Sequence, residues 1–391
     1  MNLENKKPQI LLTYAGMFPS VQLCAAAQLE ELAQIGMCSF RSMSYHKVTG
    51  KDINWADVVI LGRCDSWYEE KIAQKAHQAG KYIAYLIDDD LLNVPGNLLS
   101  AEHFRRADIR GNMKKMIALS DMVLSPSPVL LEKYASKDSG RTGILVEEPA
   151  LRPVEFTPRA ENVPVQIGFA GSLDRVDDLE GILKDALLRI KAEYGDRVCF
   201  HFFGAIPSFA EELDAKTIPF CESYETYLET LNGLHWDIGL APMPDTAFHS
   251  CKHYIKFIEY AASCIVGIYS ETGPYLRLKK WGDCGIFCQN TADSWYQAIK
   301  LLLEDPQKRE AMRQQVSQVC QEKLTVKTIA ADFYSQLTQC MKTPKNSKKI
   351  TFMQLPHKMA FFAVRVYYYL INHRGTLLAD VLGKIKRGTK K

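Results

Sequence analysis

The sequence has no apolar run long enough to span a bilayer. The most apolar stretch of its basic end, Met359 to Ile371, covers 13 residues and is broken by Arg365. It falls short of the roughly 20 residues that a membrane-crossing helix needs, which excludes such a helix there. The opening residues, "MNLENKKPQILLTY", pass from a polar lead straight into a strand pattern. They lack the apolar core of a secretion signal, so the chain is expected in the cytoplasm. Cysteine is present without order. The 11 cysteines are an odd number scattered through apolar segments, as at Cys24, Cys199 and Cys264, which suits reduced core thiols better than a disulfide framework. Cys284 and Cys288 have no His or Cys partners at zinc-site spacing, so no metal site is expected. No internal repeat or low-complexity run is present.

What is there is a long, well-mixed chain. Its 391 residues exceed one ordinary core and imply two domains, and a hydrophobic content of 47% with 10% aromatics fits a packed globular protein. The net charge of +3 is unevenly placed. Residues 342–391 hold 9 Lys and 3 Arg against Asp380 alone, about +11, which leaves 36 basic against 44 acidic residues, about −8, on the body. The basic end is a separate electrostatic object.

The first part alternates short apolar runs with helical patterns. "QILLTYAG", "ADVVILGR" and "KYIAYLIDDD" read as strands, "VQLCAAAQLEELAQIG" and "WYEEKIAQKAHQAG" as helices stopped by Gly36 and Gly80, and "SDMVLSPSPVLLEKYA" as a strand followed by a helix opened by Pro128. Such alternation predicts parallel strands with crossover helices, an α/β doubly wound sheet. Pro149, Pro153, Pro158 and Pro164 then break every period and mark a linker. A second series follows: the strand "VQIGFAGS", the helix "DDLEGILKDALLRIKAEYG", the strand "RVCFHFFG", the helix "SYETYLETLNGL", the strand "WDIGLAP", a helix and strand in "CKHYIKFIEYAASCIVGIYS", the strand "GIFCQ" and the helix "ADSWYQAIKLLLEDP". The expected division is a first domain at 1–150, a second at 163–340 and a basic tail at 341–391. A cleft between the carboxyl ends of the two sheets is where ligands bind in such folds.

The candidate chemistry gathers in the second series. In "GFAGSLDR", Gly171 and Ser172 end a strand before a helix, so backbone N–H groups would face a phosphate and Arg175 could clamp it; the same turn also serves as a plain connection. Lys252, Lys256 and Glu259 follow helical spacing and would share a face, either a solvated one or one turned into a cleft. If the two loops meet, they supply amides and cations to one diphosphate, and Glu259 could accept hydrogen bonds from two ribose hydroxyls. In the first series, Asp88 to Asp90 would repel one another unless solvent or a cation relieved them. Asp88 or Asp90 is expected either to contact acceptor hydroxyls or to cap a helix.

"GFAGSLDR" and "HWDIGLAPMPDTAFHSCKHYIKFIEYAASCIVGIYSETGPY", in their strand-helix order, resemble the donor half of GT-B glycosyltransferases, especially the retaining family-4-like enzymes of bacterial surface-polysaccharide pathways. The resemblance covers roughly residues 165–330 well and the remainder in architecture only. It implies two Rossmann-like domains facing a cleft, with a nucleotide-diphosphate sugar as substrate and no cofactor. It also implies Gly171, Ser172, Arg175, Lys252 and Lys256 at the diphosphate, Glu259 at the ribose, and the loop around Gly273 and Tyr275 closing nearby. A departure is Cys251, which stands where the family often has a Glu near the donor sugar. Here the Asp245 loop and the lysines are expected to take over part of the site. The Gly16 loop would bring amides toward the donor, or simply turn a strand into a helix, and His103 would orient a sugar, or simply sit on the surface.

The function expected is transfer of a sugar to a glycan or lipid-linked saccharide acceptor, retaining and metal-independent. A sugar epimerase of the same fold and a non-catalytic scaffold are the rival expectations. The basic tail would rest on an anionic membrane surface at the cytoplasmic face or cross back onto the first domain. Nucleic acid is not expected, since no recognisable RNA-binding module accompanies the tail.

Overall fold

The structure, a computed structural model, describes residues 7–96, 98, 101–158, 164–341, 345–352 and the single positions 359, 362, 363, 366, 367 and 370. Two parallel six-stranded sheets, each covered by helices, form two α/β domains. The first holds β1 (Gln9–Tyr14), β2 (Ser39–Ser44), β3 (Val58–Gly62), β4 (Tyr82–Leu86), β5 (Met122–Ser125) and β6 (Thr142–Leu145), in the order β2-β1-β3-β4-β5-β6. The second holds β7 (Val165–Gly171), β8 (Val198–Gly204), β9 (Lys216–Ile218), β10 (Ile238–Ala241), β11 (Val266–Ser270) and β12 (Gly285–Cys288), in the order β12-β11-β10-β7-β8-β9. Taken from β7, this second order is the Rossmann arrangement 3-2-1-4-5-6. The first sheet begins 2-1-3 instead.

The central strands are apolar because both faces are covered. Val58–Gly62 and Val266–Ser270 are buried along their whole length, whereas Ser39–Ser44, at the edge, is not. Each sheet reverses its strand order once, between β1 and β3 and between β7 and β10. The loops that leave the carboxyl ends of these four strands face each other across the cleft, where open α/β sheets bind ligands.

Two helices differ from the sequence reading. The helix expected across residues 177–195 is divided at Leu183 into Val176–Ile182 and Lys184–Tyr194. The helix of the lysines starts only at Ile255, because His249–Cys251 forms a separate 3-10 turn and Lys252 is extended at φ −76°, ψ 169°. Lys252 therefore does not share a helical face with Lys256 and Glu259. It reaches the same cavity from the turn before the helix.

The linker runs between the domains and is tied to the second one, with Ala150 N–H donating to the Leu324 carbonyl and Val154 N–H to that of Ala262. The chain later returns. Helix Val326–Cys340 buries Ala330, Phe333 and Leu337 in the core of the first domain. Residues 345–352 continue along that domain: Asn54 Nδ2 donates to the Ile350 carbonyl at 2.8 Å, and Gly50 N–H to that of Phe352. Tyr367 stacks on Trp67 with ring centroids 5.5 Å apart. Most of the basic tail, and with it the expected membrane-facing helix, lies outside the described residues. Among those described, no helix is long and apolar enough to cross a membrane.

Candidate active site

A cavity of about 510 Å³ opens between the two domains. Its walls come from the loops after β1 (Phe18, Ser20), β3 (Arg63), β4 (Asp88, Asp89), β7 (Gly171, Ser172, Arg175), β8 (Gly204) and β10 (Pro242, Met243), and from the Lys252–Glu259 segment. The two strand-order reversals thus converge on one space. The approach is tight at Gly204, whose φ is 85° and where an added Cβ would lie 2.2 Å from the Gly171 carbonyl oxygen.

Of the residues singled out from sequence, Asp88, Gly171, Ser172, Arg175, Lys252, Lys256, Glu259 and Tyr275 line this cavity. Gly16 does not line it but precedes Phe18, which does; Asp245 is exposed on a neighbouring loop, and Gly273 opens the short helix Gly273–Leu276 beside Ser250. Asp90 is buried away from it, bound by Lys133 Nζ at 2.5 Å, Tyr134 Oη at 2.6 Å and Asn93 Nδ2. His103 is exposed and pairs with Asp65 at 2.7 Å.

The repulsion foreseen among the three consecutive aspartates is met by three separate cations. Asp88 faces Arg63 at 2.8 Å, Asp89 faces Lys252 at 3.0 Å, and Asp90 faces Lys133. Burial raises the Asp88 carboxyl above its ordinary value in spite of Arg63. Burial also pushes Asp89 up, but Lys252 and Arg63 outweigh it and hold that carboxyl below the usual range. Asp90 is likewise lowered, because the hydrogen bonds from Lys133, Tyr134 and Asn93 overcome its burial.

The three cations of the second domain's wall are each held differently. Arg175 lies 2.8 Å from Asp178 and donates to the Pro242 carbonyl. Lys256 lies 2.5 Å from Glu259 Oε2, the same oxygen that accepts from Tyr227 Oη at 2.8 Å. Glu259 is only 4% exposed, so its second oxygen and its neighbours decide what polar group can sit beside it. Tyr224 stacks on Tyr227 with centroids 5.8 Å apart, and both rings line the cavity.

Sequence reasoning passed over a further group at the cavity floor. His253 places Nδ1 2.9 Å from Glu148 Oε2 and Nε2 3.2 Å from Glu147 Oε2. Glu148 also accepts from Cys24 Sγ, which the π-helical turn Gln22–Ala26 carries, and Glu147 accepts from Arg277 and Tyr254. The adjacent "EE" before Pro149 was the available signal; only distant partners give it meaning. Arg63, with its φ of 52°, and the tyrosines of "SYETYLETL" were missed for the same reason. Among the described residues no group of three His, Cys, Asp or Glu side chains is placed to hold a metal ion.

A second cavity, about 430 Å³, adjoins the first and is lined by Asp178, Thr246, Phe248 and His249 among others. The two linings touch at the Arg175–Asp178 pair and at the turn in which Lys252 N–H donates to the His249 carbonyl.

No protein-family model matches this chain, and no curated protein matches its sequence. Solved structures do match. A glycosyltransferase from Rickettsia africae superimposes with a TM-score of 0.59 at 14% identity, over 86% of this chain and 100% of that one. HepE (Alr3699) of Anabaena, in complex with UDP and glucose, gives 0.55 at 12% identity, over 85% and 99%. A Listeria monocytogenes protein assigned as a UDP-N-acetylglucosamine 2-epimerase gives 0.53 at 10% identity, over 88% and 100%. With two parallel α/β domains facing a ligand-sized cleft, the chain has the GT-B fold, the fold of the glycosyltransferases on which it superimposes.

Proposed function

We propose that the protein is a glycosyltransferase that takes a sugar from a nucleotide-diphosphate sugar and places it on a glycan or lipid-linked saccharide in bacterial polysaccharide or glycoconjugate synthesis. The observation that carries this reading is the gathering of Arg175, Lys252 and Lys256 on one wall of the interdomain cavity, with Glu259 beside them. Such a wall suits a diphosphate whose negative charge grows as it leaves, and an acid beside it suits ribose hydroxyls. The transfer proposed is metal-independent and retains the anomeric configuration, with the protein supplying electrostatic stabilisation and alignment of two substrates. UDP is the first base to test, because it is the nucleotide bound in HepE. The basic tail, about +11, supports placement on the inner face of the cytoplasmic membrane, near a lipid-linked acceptor.

Thermal-shift titration with UDP, GDP and dTDP tests the reading, comparing the native protein with Glu259→Ala. A shift by one nucleotide that is lost in the variant is expected. If none of the three shifts the native protein, the GT-B fold serves as a scaffold and the enzyme reading fails.

One observation favours a second reading. The half-buried Asp88 carboxyl, raised by desolvation in spite of Arg63 at 2.8 Å, lines the cavity as a candidate base, as an epimerase of this fold requires. Incubating the donor without acceptor separates the two, since only an epimerase returns an isomerised nucleotide sugar.

A further inference from the structure

Among the three donor-side cations, Lys252 stands apart. Arg175 and Lys256 pair with carboxylates of their own domain, Asp178 and Glu259, whereas Lys252 reaches across the cleft to Asp89 at the end of β4. The pair is accessible, with Lys252 23% and Asp89 27% exposed. Asp89 is also unlike its neighbours: Asp88 is occupied by Arg63 of its own domain, and Asp90 is enclosed by Lys133, Tyr134 and Asn93. A diphosphate arriving at the cation wall meets a lysine that is already neutralised from the opposite domain.

Building on the glycosyltransferase reading, we infer that Asp89 stands in for the donor diphosphate on Lys252 until the donor binds, and that the carboxylate so released then positions the acceptor hydroxyl. Lys252 exchanges one anion for another. Asp89 remains at the carboxyl end of the first domain's sheet, facing the seam where the two cavities meet, and becomes free only once the donor is in place. Donor binding therefore precedes acceptor binding. In the transfer, the C1–O bond to the diphosphate breaks with its electron pair on the leaving oxygen. The acceptor oxygen bonds to C1, and its proton passes to the diphosphate. Asp89 accepts a hydrogen bond from that hydroxyl and aligns it, without taking the proton, which makes it a positioning residue. The second cavity, lined by Asp174, Asp178, Thr246 and His249, offers the hydrogen-bonding groups that a hydroxyl-rich acceptor end takes.

The test measures UDP and GDP affinity by calorimetry for the native protein, Asp89→Asn, Asp89→Glu, Lys252→Ala and the double variant Asp89→Asn/Lys252→Ala. Asp89→Asn is expected to bind the preferred nucleotide about fivefold to tenfold more tightly, as the loss of one competing, partly exposed ion pair allows. Asp89→Glu should return to native affinity, and Asp89→Asn should change nothing once Lys252 is gone. A purely structural role for Asp89 would weaken binding. Equal or weaker binding by Asp89→Asn, with the native protein binding normally, overturns the exchange and leaves the glycosyltransferase reading standing. Failure of the native protein to bind either nucleotide removes both. In the hydrolysis of UDP-glucose, with water as acceptor, Asp89→Asn should lower KM and lower kcat at least tenfold; an undiminished kcat overturns the positioning role.

Discussion

The imidazole of His253 lies between the carboxylates of Glu148 and Glu147, with one ring nitrogen 2.9 Å from the first and the other 3.2 Å from the second. With both carboxylates ionised, the two contacts are donated hydrogen bonds when both ring nitrogens carry protons, as in an imidazolium. Burial alone would lower its pKa, but Glu148 and Glu147 outweigh that and raise it. Burial likewise acts upward on Glu147, yet the hydrogen bond and charge of His253, with Arg277, bring it down to about 2. The start of the linker is thus fastened to the second domain through His253 and Arg277.

The cluster predicts a pH dependence with two different edges. A raised histidine contributes stability that is fully present below its unfolded pKa of about 6.5 and lost as pH climbs through the folded value. The lowered Glu147 contributes stability present above about 4.5 and lost as pH falls through about 2. The Glu147 contribution is on the order of 3 kcal/mol. In melts from pH 3 to pH 10, His253→Asn should be destabilised most between pH 4.5 and 6.5, and the gap to the native protein should shrink at the alkaline end. A gap independent of pH would show the ring to be neutral.

Lys256→Ala should remove a cation from the diphosphate wall and leave Glu259 without its 2.5 Å partner. The expected result is a loss of about a hundredfold or more in kcat, equivalent to a few kcal/mol of barrier, with the fold intact by circular dichroism. Unchanged turnover in the variant excludes Lys256 from the leaving-group site.

Asp90→Ala should behave in the opposite manner. It leaves the buried Tyr134 hydroxyl without its acceptor, while the exposed Lys133 ammonium returns to water, and a buried polar group so deprived typically costs about 1–3 kcal/mol. The melting temperature should fall while nucleoside diphosphate affinity at low temperature stays within twofold of native. Loss of nucleotide binding by the folded variant would instead tie Asp90 to the cavity.

Gly204→Ala puts a side chain at φ 85° and 2.2 Å from the Gly171 carbonyl oxygen. Positive φ in a non-glycine residue costs roughly 1–3 kcal/mol before the clash is counted. Denaturant titration should therefore show a loss of at least about 2 kcal/mol, and nucleotide binding should weaken, because the Gly171 turn must shift. A variant of native stability would mean that the two loops separate freely.

Much of this architecture could be read without coordinates. Alternation of apolar strands with helical periods is a local property, and it marked the two α/β series and the proline linker. The turn at Gly171 and the pair Lys256 and Glu259 were visible because strand ends and three-residue helical spacing are local as well. A return to the first domain was expected only of the tail after residue 341; that helix Val326–Cys340, counted with the second domain, already makes it was not visible, because its apolar stripe of Ala330, Phe333 and Leu337 fits any core of suitable shape.

The letters alone carried part of the cavity, the Gly171 turn, Arg175, Lys256 and Glu259, because strand ends and a period of 3.6 residues are local. Tertiary structure alone decided which opposite charges meet. Asp88, Asp89 and Asp90 are equivalent in a string of letters, yet one faces Arg63, one reaches Lys252 of the other domain and one is enclosed by Lys133 and Tyr134. Pairing energies depend on distance and burial, which residues 163 or 105 positions apart acquire only when two sheets turn their carboxyl ends toward a common space.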